Sequence, residues 1–192
     1  ELFSAQATPT AIVTVGSTKF DSLIRAIDCQ DFLVLLQGMG IKRLTVQKGN
    51  GEYRPANLGE PGKPALPGLE VEILEYSQDL PERLRDAALV ISHAGAGTIL
   101  DCLQAGRRMI VVPNEELMNN HQVQLGLALQ EQGLLFCFKA GVLLQSLKEA
   151  DFSSLRSFPP HSNPLFARLV CCEMLGLENV VKSASTQPMR PA

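Results

Sequence analysis

The sequence predicts a doubly wound α/β domain with a mainly parallel sheet. Short apolar runs rich in β-branched residues occur at residues 11–15, 43–47, 89–93 and 109–112, and they are too short to be helices. Segments with helical spacing separate these runs, and two of the runs lead directly into glycine loops. Because ligands in such sheets bind outside the carboxyl ends of the strands, we expect the functional residues at that edge.

The composition is that of an ordinary globular domain. The 192 residues are 45% hydrophobic and 19% charged, which is typical of one domain of this length. The formal net charge of −3 argues against nucleic acid as a partner. No apolar run approaches the roughly 20 residues that a membrane span requires. The five cysteines are an odd number without a C-x-x-C pair, which favours reduced thiols in a cytoplasmic protein.

The first glycine loop consists of Gly16, Ser17 and Thr18 and follows the first predicted strand. A helical pattern occupies residues 20–37, and a break is expected near Asp28. Taken alone, the loop is a tight turn with a serine helix cap. Its position at the carboxyl end of a strand also makes it a candidate binding loop.

The next part of the chain supplies two further strands and a long connection. Residues 43–47 form the second strand, and residues 69–74 alternate apolar residues with glutamates, as expected of a strand near a sheet edge. Between them, residues 48–68 hold four prolines and five glycines and are expected to form a long, mobile loop. Residues 80–88 form a short helix.

The centre of the chain forms a strand–loop–helix–strand unit. The strand at residues 89–93 is followed by a helix that we expect to begin at Thr98 and to end at Gly106. The amides at the start of such a helix have no partners, and together with the helix dipole they favour a phosphate group. The loop residues are Ala94, Gly95, Ala96, Gly97 and Thr98.

The details of this unit narrow the choice of phosphate ligand. The dinucleotide fingerprint G-x-G-x-x-G lacks its third glycine, because Leu100 stands there, and the chain contains no P-loop motif. A dinucleotide-dependent oxidoreductase would also place an acid after the next strand, which ends instead in Pro113 and Asn114. Asp101 follows Thr98 by one helical turn and can accept hydrogen bonds from a ribose diol, although alone it is also a favourable first-turn charge.

A cluster of amides and an imidazole opens the helix predicted at residues 119–132. Such side chains offer neutral donors and acceptors to a hydroxyl-rich ligand but little nucleophilic power. His93, at the end of its strand, can donate to a phosphate, act as a base or form a purely structural hydrogen bond. The spacing of histidines, cysteines and carboxylates predicts no metal site. The cluster consists of Asn119, Asn120, His121 and Gln122.

The C-terminal part of the chain completes the α/β domain and then continues into a separate helix. A strand at residues 134–138 and a helix at residues 142–149 complete the α/β domain. Beyond a proline-rich connector, residues 165–177 form a helix that is apolar on more than one face. It either lies back across this sheet or contacts a second surface. The predicted divisions are the Rossmann-like α/β domain over 1–155, a connector and helix over 156–180, and a disordered tail over 181–192.

Two segments resemble the donor-nucleotide half of family-28-type glycosyltransferases. They are residues 91–103, ISHAGAGTILDCL, and residues 109–122, MIVVPNEELMNNHQ. The first loop, VTVGSTKFDSL, and the tail, FPPHSNPLFARL, resemble the same family. The resemblance is strongest to the catalytic subunits of the two-part UDP-N-acetylglucosamine transferases of dolichol-linked glycan assembly. The family's Q-x-G-R-G pattern is here QKGNG, so Lys48 or Arg54 would have to supply its basic side chain.

The resemblance implies the Rossmann-like, C-terminal donor-binding half of a GT-B glycosyltransferase. It implies an inverting transfer of N-acetylglucosamine (GlcNAc) from UDP-GlcNAc to dolichol-diphosphate-GlcNAc. Residues 94–98, with Ser17 or Thr18 beside Gly16, would then stabilise the leaving UDP, Asp101 would hold the ribose, and the amide cluster would orient the sugar. No tightly bound cofactor is implied. Whether a Mg²⁺ ion accompanies the diphosphate is left open. The general base is either His93 or a residue of another chain.

The same resemblance implies a partner. The acceptor is a membrane lipid, and half of a two-domain transferase lacks the opposite wall of its cleft. We therefore expect a membrane-anchored, acceptor-binding subunit that recruits this cytoplasmic chain to the cytosolic face of the endoplasmic reticulum. The alternative is a nucleotide-sugar-binding or regulatory module without catalysis of its own.

Overall fold

The computed structural model describes residues 8–60, 63–115 and 121–159, and its main feature is a parallel sheet with helices on both faces. Within these residues the sheet has six strands in the order β3-β2-β1-β4-β5-β6, and every neighbouring pair is parallel. The strands are β1 (Thr10–Thr14), β2 (Arg43–Gln47), β3 (Glu70–Leu74), β4 (Leu89–Ser92), β5 (Arg108–Val111) and β6 (Phe136–Cys137).

Helices connect the strands and cover the sheet. They are α1 (Asp21–Ile27), α2 (Gln30–Gly38), α3 (Leu80–Asp86), α4 (Ala96–Gln104), α5 (His121–Glu131) and α6 (Leu143–Glu149). Single 3₁₀ turns lie at Ala140–Val142 and Phe152–Ser154, and a small antiparallel pair joins Gly59–Glu60 to Lys63–Pro64. The predicted doubly wound architecture is confirmed, including the break between α1 and α2 at Asp28.

The strand register aligns the ends of the three central strands. Thr14, at the end of β1, pairs with Gln47 of β2 on one side and with Ser92 of β4 on the other. All three side chains are buried. The segments that leave these strands therefore start side by side at the carboxyl edge of the sheet.

Alternation along the strands divides the core into two layers. Ala11 and Val13 of β1 face a layer formed with α1, α2 and α6, whereas Ile12 faces a layer formed with α3, α4 and α5. This period of two is the reason that runs of β-branched residues buried on both sides form the central strands. Phe158, near the end of the described chain, packs against the second layer.

The connection between β2 and β3 is anchored by a buried carboxylate. Asp28, 6% exposed, accepts hydrogen bonds from the Tyr53 hydroxyl at 2.5 Å, from the Ala56 N–H at 2.9 Å and from the Asn57 N–H at 2.7 Å. Burial alone would raise the pKa of Asp28. The hydrogen bonds from Tyr53, Ala56 and Asn57 outweigh it and hold that pKa below its usual value.

A second carboxylate holds the start of the same connection. Both oxygens of Asp21, the first residue of α1, accept backbone N–H groups, from Glu52 and Tyr53, at 3.3 Å. The connection is thus tied to both ends of α1. These bonds anchor residues 52–57 of the connection that was expected to be mobile over residues 48–68, and composition alone does not reveal hydrogen bonds made over some 30 residues of sequence.

Several predicted boundaries differ from the observed ones. The strand expected at residues 134–138 is limited to Phe136–Cys137, because the Leu134 N–H donates to the Leu129 carbonyl at 3.1 Å and so completes the end of α5. Helix α4 begins before Thr98, and α3 ends before residue 88. The helix expected at residues 165–177 and the tail at 181–192 lie outside the described residues.

Candidate functional site

The sheet reverses its winding direction between β1 and β4. Connections from β1 run towards β2 and β3, and those from β4 run towards β5 and β6. The crevice outside the carboxyl ends of these two strands is where ligands bind in open α/β sheets. Both glycine loops predicted from the sequence leave the sheet there.

The loop after β1 is held by its own hydrogen bonds. Gly16 has φ 65°, which a residue with a side chain rarely adopts, and its N–H donates to Thr14 Oγ1 at 3.0 Å. The Thr18 hydroxyl donates to the Val15 carbonyl at 2.8 Å, so its proton is committed to the turn. Ser17 is exposed, and neither its N–H nor its hydroxyl has a partner among the described residues. The interpretation of Ser17 as a helix cap is wrong, because the residue that caps α1 is Phe20.

The imidazole of His93 packs closely against both glycine loops. A Cβ atom on Gly16 would lie 2.8 Å from His93 Cε1, and one on Gly95 would lie 2.5 Å from Nε2. The His93 N–H donates to the Thr14 carbonyl at 3.1 Å, which continues the pairing of β1 with β4. Any side chain at either glycine would therefore collide with the ring.

His93 is held in its neutral form. Burial lowers the pKa of His93, and this effect exceeds the opposing influence of the hydrogen bond with the Thr14 backbone. The ring therefore offers one N–H donor and one acceptor near pH 7. The Ser92 hydroxyl, fully buried, donates to the His93 carbonyl at 2.9 Å and lies 3.4 Å from Nδ1. Ser92 is thus not an exposed nucleophile activated by the histidine.

Helix α4 points its first turn at the same crevice. It begins at Ala96, two residues before the predicted start at Thr98, because the Gly95 carbonyl already accepts the Ile99 N–H at 3.0 Å. The N–H groups of Ala96, Gly97 and Thr98 consequently have no partner within the helix or elsewhere in the described chain. Ala94, which precedes this turn, is buried.

Asp101 lies in the second turn of α4. It follows Ala96 by five residues, or about 7.5 Å along the helix axis, and it is partly exposed. Its spacing from Gly97 and Thr98 places all three on one face of the helix. The alternative interpretation of Asp101 as a first-turn dipole charge is wrong, since the first turn of α4 contains no acidic residue.

Asn114 was not assigned a role from the sequence, yet it links two parts of the site. It follows β5 and is 3% exposed. Its Nδ2 donates to the Lys19 carbonyl at 3.2 Å, and its backbone N–H donates to Gln122 Oε1 at 3.3 Å. The sequence signal for this role was an amide residue directly after Pro113, which ends an apolar strand.

The amide cluster is only partly described. Gln122 lies in the first turn of α5, its side-chain oxygen accepts the Asn114 N–H, and its NH₂ group has no partner among the described residues. His121 begins α5, and Asn119 and Asn120 lie outside the described residues. The hydrogen bond between Gln122 and Asn114 therefore places the start of α5 at the candidate site.

Lys48 and Arg54 are the two basic side chains that could stand in for the family's arginine. Lys48 is engaged by its neighbours, since its Nζ lies 3.1 Å from the Gly51 carbonyl and 3.4 Å from Glu75 Oε1. Arg54 is exposed.

The described residues contain neither a metal-binding cluster nor a membrane span. No group of three or more histidine, cysteine or acidic side chains there is arranged to hold a metal ion. Nor does that part of the chain contain a helix with the length and apolar character of a membrane span.

Comparison with known proteins decides the family. Residues 10–166 match the glycosyltransferase family 28 C-terminal domain. The chain belongs to glycosyltransferase family 28. The matched region includes both glycine loops, His93 and the start of α5, so the resemblance inferred from the sequence is confirmed.

Curated relatives of this chain carry the name UDP-N-acetylglucosamine transferase subunit ALG13. The Mus musculus protein is 40% identical over 134 residues, which cover 69% of this chain and 11% of the mouse protein. The Cryptococcus neoformans protein is 34% identical over 148 residues and is covered over 74% of its length. The chain therefore spans about a tenth of the mouse relative and most of the fungal one.

Solved structures confirm the fold. An NMR solution structure of ALG13 superposes with a TM-score of 0.59 at 28% identity, covering 84% of this chain and 94% of that one. The crystal structure of Acinetobacter baumannii MurG gives a TM-score of 0.55 at 17% identity and is covered over 46% of its length. The domain has the Rossmann-like architecture of the C-terminal half of a GT-B glycosyltransferase.

Proposed function

We propose that this domain binds UDP-GlcNAc and transfers GlcNAc to dolichol-diphosphate-GlcNAc, forming the second GlcNAc of the lipid-linked N-glycan precursor. The observation that carries the proposal is that the amides of Ser17 and residues 96–98, in the two loops beside His93, have no partner within the described part of the chain. Membership of family 28, and relatives named as UDP-N-acetylglucosamine transferase subunits, support the choice of donor.

The amides would act mainly on the leaving group. When the bond between the sugar and the diphosphate breaks, negative charge grows on the departing UDP. Unpaired N–H groups fixed by a helix turn need no reorganisation to stabilise that charge. The positive end of the α4 dipole adds to the effect, so no cationic side chain is required at the first turn.

His93 suits the leaving group better than the acceptor. An inverting displacement places the base and the leaving group on opposite faces of the sugar. His93 lies between the two loops that would hold the diphosphate, and its neutral ring can donate one hydrogen bond there. We therefore assign His93 to the diphosphate, and assign the base that deprotonates the acceptor hydroxyl to a second chain.

The other side chains would hold the remaining parts of the donor. Asp101 lies one helical turn beyond the amide group and would accept hydrogen bonds from the ribose hydroxyls. The free NH₂ group of Gln122 would meet the sugar, together with Asn119, Asn120 and His121. No tightly bound cofactor is needed, and a Mg²⁺ ion would arrive with the diphosphate.

A partner completes the proposal. The relatives are named as subunits, and the lipid acceptor requires contact with a membrane. The partner would be a membrane-anchored, acceptor-binding subunit at the cytosolic face of the endoplasmic reticulum. It would supply the opposite wall of the cleft and the base.

Donor binding is the first test. Calorimetric titration of the full chain with UDP-GlcNAc, UDP-glucose, UDP, NAD and ATP should give saturable binding of the uridine nucleotides alone. Binding of NAD in preference to UDP would contradict the transferase proposal and favour a dinucleotide-dependent oxidoreductase.

Turnover is the second test. Purified chain should transfer radiolabelled GlcNAc to a soluble acceptor analogue only when the partner is added. Full turnover by the isolated chain would disprove the requirement for a partner. UDP-GlcNAc binding without turnover under either condition would favour a regulatory module.

A further inference from the structure

Gln47 joins three strand ends below the first glycine loop. It is the last residue of β2, and its side chain is 1% exposed. Its Nε2 donates to the Gly16 carbonyl at 2.9 Å, and its Oε1 accepts the Ser77 N–H at 3.1 Å. The segments after β1 and β3 are thus tied to the end of β2 by one amide.

The bond to Gly16 fixes the direction of the next peptide. The Gly16 N–H is held by Thr14 Oγ1 and its carbonyl by Gln47, so both sides of this glycine are fixed. In a trans peptide the carbonyl and the following N–H point in opposite directions. With the Gly16 carbonyl turned to Gln47, the Ser17 N–H points to the other side, where no described residue accepts it.

The backbone that follows Gln47 supports the same loop. The Asn50 N–H donates to the Thr18 carbonyl at 3.3 Å. A Cβ atom on Gly49 would lie 2.2 Å from that carbonyl oxygen, so the two backbones touch. The conformation of the first glycine loop is therefore set from the β2 side.

We propose that Gln47 is a positioning residue for the diphosphate of the nucleotide, acting through the Gly16–Ser17 peptide. The proposal rests on the proposed function and adds to it a residue that does not itself contact the ligand. A glutamine suits this position because it is long enough to reach the carbonyl and carries one donor and one acceptor for two opposed backbone groups.

Loss of the amide should weaken phosphate binding specifically. Gln47→Met keeps the length and the neutral charge but removes both hydrogen bonds. The matched control is Gln37→Met, because Gln37 Nε2 also donates to a backbone carbonyl, that of Pro67 at 2.7 Å, on another part of the chain. We expect Gln47→Met to lower the affinity for UDP by about tenfold, the size of one lost hydrogen bond, and to leave uridine binding unchanged.

Calorimetry of the full chain separates the outcomes. If the unaltered chain binds UDP and Gln47→Met binds it equally well, the positioning role is wrong. Equal losses for UDP and uridine, or an equal loss in Gln37→Met, would also overturn it. Failure of the unaltered chain to bind UDP would instead overturn the proposed function.

A measurement on the unaltered chain decides the matter if Gln47→Met does not fold. In ¹H–¹⁵N spectra, UDP should shift the Ser17 amide and the Gln47 side-chain amide, whereas uridine should shift neither. A Gln47 side-chain amide signal whose chemical shift does not change when UDP is added would overturn the proposal.

Discussion

The side-chain amide of Asn114 reaches the Lys19 carbonyl across the end of β4, at 3.2 Å. Lys19 follows the loop after β1, and Asn114 follows β5, two strands away in the sheet. The contact links residues that are 95 positions apart in the sequence. It spans the loop that carries His93 and Gly95, so the loop after β1 and the start of α5 share one support.

Removal of the Asn114 donor should destabilise the fold. Asn114→Asp removes this part-buried hydrogen bond and places a carboxylate oxygen against the Lys19 carbonyl, which should cost about 1–3 kcal/mol. Urea unfolding should show this loss. Asn50→Asp, at an exposed position, is the control and should change the free energy of unfolding little. Equal stabilities of the two variants would contradict the supporting role of Asn114.

Asp101→Ala should weaken UDP binding by about 1.5–3 kcal/mol, the typical worth of a hydrogen bond to a charged group. The free energy of unfolding should change little, because Asp101 is partly exposed on α4. Calorimetry with UDP measures the loss, and Asp31→Ala on α2 is the matched control. Unchanged UDP affinity in folded Asp101→Ala would remove Asp101 from the ribose site.

Gln122→Ala should weaken UDP-GlcNAc binding more than UDP binding, since Gln122 is assigned to the sugar. Because its oxygen also accepts the Asn114 N–H, the alanine variant loses a structural bond as well. Gln122→Glu keeps the acceptor and removes the NH₂ group, and it should show the same preference for UDP. Equal losses for the two ligands would place Gln122 on the nucleotide.

The His93 ring should titrate below pH 6.5 in the free protein and at a higher pH with UDP bound. Burial disfavours the imidazolium, and a diphosphate beside the ring favours it. NMR titration of the ring proton follows both states, with uridine as the control. An identical pKa of His93 with UDP and with uridine would show that the ring does not lie beside the diphosphate.

The same depressed pKa has a consequence for folding. The unfolded chain takes up a proton on His93 near pH 6.5, whereas the folded chain resists it. The stability associated with the neutral ring is therefore present above this pH and is lost as the pH falls towards the folded-state pKa.

Asp28→Asn should destabilise the protein at pH 7 by about 1–3 kcal/mol, since a buried carboxylate that accepts three hydrogen bonds is replaced by a group with one acceptor. The folded-state pKa of Asp28 lies below 3.8, so its contribution is present above pH 3.8 and is lost as the pH falls through the folded value. Urea unfolding should show a smaller difference between the two proteins at low pH. Asp31→Asn, at an exposed site, should show no such pH dependence, and a difference that persists in acid would contradict this role for Asp28.

The strands and glycine loops were predictable because their signals are local. The predicted strand at residues 43–47 matches β2 in full, since its alternation of apolar and polar residues ends at both sides in turn signals. The placement of both glycine loops at one edge followed from the parallel sheet alone. Local pattern and topology together therefore predicted the sheet edge at which the candidate site lies.

The remaining contacts depend on distant residues. The bonds from Asp28 to residues 53–57 and from Asn114 to Lys19 join parts of the chain that sequence spacing does not connect. The start of α4 was misplaced because Thr98 looks like a helix cap, whereas Gly95 serves as the N-cap without a side chain. Such features follow from tertiary packing and cannot be found by periodicity.

The packing of His93 against two glycines sets the order in which these positions can change during evolution. Gly95 has φ −75°, which any residue adopts, and the atoms nearest to an added Cβ there all belong to the imidazole. Gly16 has φ 65° and would resist substitution even beside a smaller neighbour. A side chain at position 95 thus requires a prior substitution of His93 by a smaller residue. Position 16 keeps its glycine whichever residue replaces His93.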